Sequence, residues 1–232
     1  MDILNLPQDF SQTVSLFPLS SEVLFPGLVQ VLHIFEPRYV QLTEDALRGD
    51  KLITRALIKA DLGSAVSAFP IDAIHPIVCI GKIISHTRLE DGRFNLVLVG
   101  ICRARITGEL DPKETGKLYR QAAVEFPSES SSTSAPEPQV RDQVLSALAS
   151  ALSGQSAQVQ GMLKHLQAPD LPLGQMLDWI AHACGQSPDQ QQRVLNAIDL
   201  DSRIESVMEI ITTLTKGRPQ TGIQFPPKFS QN

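Results

Sequence analysis

The sequence predicts an α+β chain in which an N-terminal β-barrel with one inserted helix is followed by a C-terminal α-helical bundle. Three observations carry that expectation. Apolar runs of strand length, punctuated by turn residues, fill residues 1–126. A Ser/Pro/Glu-rich stretch at 127–138 contains no large apolar residue, so it buries nothing and reads as a surface linker. Beyond it, at 139–217, apolar residues recur every three or four positions, which is the period of a helix face. Residues 218–232 read as a tail.

The strands are taken in order. Val14 to Leu19 and Leu28 to Ile34 are β-prone runs separated by Pro26-Gly27, and Lys51 to Ile58 is a third. Ile74 to Ser85 leads to Asp91-Gly92 and then Arg93 to Val99. Asp-Gly between two β-branched runs predicts a tight hairpin with both turn residues at positive φ. Gly100 predicts a sharp turn or bulge before Ile101 to Ile106, and Leu118 to Phe126 closes the series. Several short strands with tight turns suit a small barrel. One helix interrupts them. Pro37 suits its first turn, Tyr39, Leu42, Thr43, Ala46 and Leu47 mark its apolar face, and Gly49 ends it. Such a helix would plug one end of the barrel.

After the linker, Val140, Val144, Leu145, Leu148 and Leu152 mark one helix. Val159, Met162, Leu163 and Leu166 mark a second, and Leu173 to Cys184 a third. Ser187-Pro188-Asp189-Gln190 resembles a capping box that opens a helix bearing Val194, Leu195 and Ile198. Ser202 with Glu205 would cap the last helix, which carries Ile204, Val207, Met208, Ile211 and Leu214. Five amphipathic segments with short connectors predict a compact bundle.

Composition narrows the function classes. The net charge of −5 gives no counterion-release advantage on a polyanion, so nucleic acid and anionic membrane are not expected partners. Without a basic n-region, an apolar leader or a membrane-length apolar run, the expected location is the cytoplasm. Cys79, Cys102 and Cys184 are odd in number and lie in apolar stretches, as reduced, packed thiols do.

Catalytic motifs were sought and not found. A phosphate-cradling loop needs a glycine at its start and a hydroxyl after Gly-Lys. The stretch Asp111 to Leu118 has Asp and Leu at those places. No lysine has a serine three residues before it, and Ser187 reads as a helix cap rather than a nucleophile. There is no H-E-x-x-H or C-x-x-C, and His33, His75, His86, His165 and His182 include no pair three or four apart. No metal, no cofactor and no enzymatic activity are expected. Cys102 alternates away from Arg103 and Arg105 along a strand, so it is expected to pack rather than to react.

Two stretches resemble a known family. Phe17 to Tyr39, FPLSSEVLFPGLVQVLHIFEPRY, is similar to the opening of the Lon protease N-terminal, substrate-binding domain, in particular its stand-alone bacterial type. Gly81 to Ile84 with Asp91 to Ile106, GKII and DGRFNLVLVGICRARI, resembles that family's second characteristic segment. Leu173 to Leu214 resembles its closing pattern, a capped helix followed by an R-I-E-x-V helix. The resemblance spans about Val14 to Leu214 and implies a PUA-like β-barrel followed by a helical bundle. It also implies a non-catalytic module that binds unfolded or tagged polypeptide, an adaptor in protein quality control that works beside a separate ATP-dependent protease. The ATPase and protease domains of full-length Lon have no counterpart in this sequence. Phe25, Phe35, Pro37, Arg38 and Tyr39 are the residues expected to line a groove for polypeptide, although Phe25, Phe35 and Tyr39 would equally serve as core, and Arg38 could pair with Glu36 or Asp45. Because PUA-like barrels often bind RNA, an RNA-binding module is the alternative, against which the acidic balance weighs.

Overall fold

A computed structural model describes residues 6–59, 73–128, 132–152, 157–216 and 230–231. The fold is mixed α/β, with two compact units dividing between Pro127 and Ser128.

In the first unit the strands are β1 (Thr13–Leu19), β2 (Val29–Ile34), β3 (Leu52–Leu57), β4 (Ile77–Arg88), β5 (Phe94–Glu109) and β6 (Gln121–Glu125). Helix α1 (Pro37–Arg48) follows β2, and a single turn, α2 (Pro112–Thr115), precedes β6. Strands β1 and β3 run parallel. The pairs β1–β6, β3–β4, β4–β5 and β5–β6 are antiparallel. Each of these five strands therefore has a hydrogen-bonded neighbour on both sides. Strand β2 adds to the first half of β5, from Val29 opposite Val99 to Ile34 opposite Phe94. A two-residue strand, β7 (Ser230–Gln231), lies parallel to β2 at Leu32 and His33. Of the expected tail, 218–232, residues 218–229 and 232 lie outside the described residues.

Strand β5 is continuous through Gly100, where two strands were expected. What remains of that expectation is a bulge, because the β4–β5 register shifts where Ile80 pairs with Cys102 and Gly81 with Gly100. The extra residue bends the ribbon without ending it, so one 16-residue strand serves β2 with its first half and β6 with its second. Gly100 answers to a close approach: a Cβ there would lie 2.1 Å from the Phe25 carbonyl oxygen. The Asp-Gly hairpin is also built differently. Only Gly92 has positive φ, at 85°. Gly92 N donates to Leu89 O at 3.0 Å and Leu89 N to Arg93 O at 2.8 Å, so the loop holds three residues and closes with a left-handed glycine. Asp91 instead accepts from the Arg93 amide at 3.1 Å.

Helix α1 starts at Pro37 as its missing N–H allows and buries Tyr39, Leu42, Thr43 and Ala46. Gly49 follows it with φ −106°, so the left-handed turn is not at the glycine. Lys51 takes it, with φ 64° and its N–H on Ala46 O at 2.9 Å. The core beneath β1, β3, β4, β5 and β6 contains Val14, Leu16, Ala56, Val78, Ile80, Ala104, Ala122 and Val124. Every residue of β3 is buried, including Arg55, which lies between neighbours on both sides.

The second unit holds α3 (Glu137–Ala151), α4 (Ala157–Leu166), α5 (Leu173–Cys184), α6 (Pro188–Asn196) and α7 (Leu200–Lys216). Helix α7 packs against α3, α5 and α6. Ser187 caps α6, its hydroxyl accepting from Gln190 N at 3.3 Å. The Gln190 side chain reaches back to Gln186 N at 2.8 Å, one residue before the cap. The cap of α7 differs from the expected Ser202: the helix starts earlier, and Asp199 accepts from Ser202 N at 2.8 Å. Those hydrogen bonds from the Ser202 backbone and hydroxyl hold the Asp199 carboxyl below its ordinary value.

Candidate functional site

The five residues expected from sequence separate in space. Phe25 is fully buried, with its backbone against Gly100. Tyr39 is also core: its ring meets that of Phe17 edge-on at 4.4 Å between centroids, and burial pushes its hydroxyl pKa up. Phe35 and Pro37 are exposed, Phe35 by 41%. Arg38 is half-buried, 2.6 Å from Glu36 and 4.8 Å from the Tyr39 ring centre. Phe25 lies beside the Gly100 end of β2 and Phe35 beyond its other end, roughly 17 Å apart for a strand of this length. The tertiary structure therefore does not gather these five side chains into one groove.

It gathers others instead. Strands β2, β5 and β4 present one face outward. Side chains that share a register position share a face, and alternate residues take opposite faces. Inward go Leu32, Ile34, Phe94, Leu96 and Leu98, all buried. The other face carries Val29 and Val31 on β2 with Val99 and Val97 opposite them on β5; Val29 is exposed, Val31 and Val97 are half-buried and Val99 is buried. Ile84 bulges out of β4 where the register shifts between Ile83 and Ser85. Val29 and Ile84 are each 45% exposed. The row on β2 continues through His33, whose Nδ1 is 2.7 Å from Asn95 Oδ1, to Phe35, whose ring lies 6.2 Å from the imidazole. An apolar sheet face with a polar, hydrogen-bonded end results. Alternation along VQVLHIF is apolar on both faces apart from Gln30 and His33, which is why the sequence does not say which face stays wet.

Polar groups elsewhere are engaged structurally. Arg105 pairs with Glu125 at 3.4 Å, and Arg120 grips Glu109 through two nitrogens. Arg203 of α7 is buried beside Asp178 of α5 at 3.9 Å and donates to Ala197 O and Ile198 O at 3.1 and 3.2 Å. Cys79 and Cys184 are buried, Cys102 is half-buried against the core, and none of the three is in a disulfide. Burial pushes the Cys184 thiol up to about 12, far from a reactive thiolate. Among the described residues no group of three or more His, Cys, Asp or Glu is placed to hold a metal ion. No described helix is long and apolar enough to cross a membrane.

The family model for the ATP-dependent protease La (LON) substrate-binding domain matches residues 13–213. The chain belongs to this LON substrate-binding domain family. Relatives agree with that assignment. The Lon protease of Dictyoglomus thermophilum is 26% identical over 212 residues, covering 90% of this chain and 25% of that protein. Lon protease 2 of Sorangium cellulosum is 24% identical over 217 residues, covering 88% and 25%. The chain thus spans about a quarter of the length of these Lon proteases. In fold it is similar to the N-terminal domain of Mycobacterium avium complex Lon protease, with TM-score 0.64, 14% identity, and 86% of this chain and 98% of that one covered. It is similar too to a Lon N-terminal domain protein from Xanthomonas campestris, with TM-score 0.59, 21% identity and 85% and 97% covered. In the stretch Arg203 to Val207 the arginine is buried and ties α7 to α5.

Proposed function

We propose that this chain is a non-catalytic receptor for unfolded or tagged polypeptide, held on the outward face of β2, β5 and β4. The observation that carries the reading is the apolar row of exposed Val29, Ile84 and Phe35 with half-buried Val31 between them, on a domain of the LON substrate-binding family. A contiguous apolar surface rimmed by polar groups favours a partner that brings apolar side chains of its own. Strand pairing that continues from β1 through β3, β4, β5 and β6 supports a closed, PUA-like barrel as the scaffold. Helices α3 to α7 support a helical subdomain at the expected 139–217, although α3 already begins at Glu137, inside the linker expected at 127–138. In this reading the captured chain is passed to a separate ATP-dependent protease in the cytoplasm, and the domain acts as an adaptor. The acidic balance, with no clustered basic and aromatic residues on this face, lends no support to RNA as the ligand.

The test uses the full chain and a permanently unfolded probe, fluorescently labelled α-lactalbumin with its disulfides reduced and blocked. Anisotropy should report binding to the unfolded probe and none to the native protein. Val29→Lys with Ile84→Lys should weaken binding by at least about tenfold, since anchor residues carry most of the energy of such contacts. Binding that ignores both substitutions, or no binding at all, overturns the proposal.

A further inference from the structure

Within the first unit lies a second recess, on the opposite face of the hairpin from the valine row. It is about 340 Å³ in volume and is lined by Glu44, Leu47 and Arg48 of α1 and by His86, Arg88 and Phe94 of β4 and β5. That is the lower end of the roughly 300–1,000 Å³ range of ligand pockets, room for a short stretch of peptide. Leu47 and Phe94 supply its apolar lining.

The charges around it do not balance. Glu44 is shared by two guanidinium groups, Arg88 at 3.1 Å and Arg48 at 3.7 Å. Asp45 is shared by Arg48 and Lys117, both at 2.8 Å. Three cations thus share two carboxylates, on a chain whose net charge is −5. Both arginines are well exposed, 71% for the Arg48 side chain and 61% for Arg88. A guanidinium carries five N–H donors, and these ion pairs engage only some of them. Arg88 also lies over the Phe94 ring, its guanidinium carbon 5.4 Å from the ring centre, and both residues line the recess. The position of Glu44 shows which group the two arginines can hold between them: a planar carboxylate.

We infer that this recess binds the C-terminal carboxylate of a polypeptide whose last side chain is apolar. The carboxylate meets Arg48 and Arg88, the last side chain rests on Leu47 and Phe94, and the exposed His86 borders the peptide. The inference rests on the proposal that the domain receives polypeptide, and it names which end of the polypeptide is recognised. An internal aspartate or glutamate offers the same carboxylate on its own side chain, whereas a C-terminal residue carries carboxylate and apolar side chain together, matching arginines and apolar lining that adjoin.

Three labelled hexapeptides decide the matter by anisotropy with the full chain. The first ends in leucine with a free carboxylate, the second is the same peptide amidated, and the third is amidated with a glutamate before the leucine. The free acid should bind at least tenfold more tightly than either amide, and rising salt should weaken it. Arg48→Gln and Arg88→Gln, both at exposed positions, should each remove most of that preference. Glu44→Gln should strengthen acid binding, because it removes the internal competitor, an effect that a merely structural role would not produce. Equal affinity for acid and amide overturns the inference, as does a glutamate peptide that binds as well as the free acid. If acid and amide bind equally while the unfolded probe still binds, only this inference falls. If neither peptide nor unfolded probe binds, the proposed function falls with it.

Discussion

Asp45 of α1 joins two parts of the first unit that lie far apart in sequence. Its carboxylate accepts from Lys117 Nζ at 2.8 Å and from the Tyr119 hydroxyl at 3.0 Å, while Arg48 reaches its other oxygen. Burial pushes this carboxyl's pKa up, but the hydrogen bonds from Lys117 and Tyr119 outweigh it, and the group sits below its ordinary value. A folded-state pKa that is depressed contributes stability above the unfolded value, and that contribution is lost as pH falls through the folded one. Asp45→Asn should therefore lower the urea midpoint near neutral pH, and the difference from the parent should vanish in acid below the carboxylate range. A difference that persists in acid would mean that packing, not charge, holds the contact. Gly100 makes a different kind of demand, since a side chain there meets the Phe25 carbonyl, a backbone group that has little room to yield. Gly100→Ala should cost about 3 kcal/mol in urea unfolding. Gly108→Ala on the same strand has nothing within 4 Å and should be close to neutral.

At the scale of elements, legibility followed the range of the interactions. Helix α6 was readable because its cap is local: Ser187, Pro188 and Gln190 make their contacts within four residues. Ser187→Ala should lower stability by about 1 kcal/mol, measured as a shift in the thermal or urea midpoint. Asp199 was missed as the cap of α7, although an Asp three residues before a Ser is an equally local signal. Gly49 looked like a left-handed helix stop, yet Lys51 has the positive φ, because the chain must turn into β3 two residues later. Strands showed the opposite limit. Residues from Ile74 to Ser85 were expected as one strand, but β4 runs from Ile77 to Arg88, its end set by pairing with β5 up to Phe94 opposite Arg88. Leu118 was expected inside a strand and is 65% exposed, its N–H held by the Gln41 side chain of α1 at 2.7 Å. Only a partner from elsewhere in the chain could move that boundary.

For the whole molecule, the change from strands to helices across a Ser/Pro-rich stretch expected as a linker at 127–138 follows from composition and period, which any window of the chain displays. So does the family, through the motifs between Phe17 and Tyr39 and between Gly81 and Ile106. The proposed binding surface does not follow. The motif that identifies the family places Phe25 and Tyr39 in the core, so similarity there reports folding needs more than contact with a ligand. Val29, Ile84 and Val97 come together only because β5 is long enough to lie between β2 and β4. Arg48 and Arg88 meet at one recess only because α1 packs beside the end of a hairpin 40 residues further on. By itself the sequence determined which segments bury a face and with what period, since burial is written in the local alternation of apolar residues. Which face of a two-sided strand remains in water, and which distant charges share a carboxylate, was decided only by tertiary structure, because both depend on neighbours that no local pattern encodes.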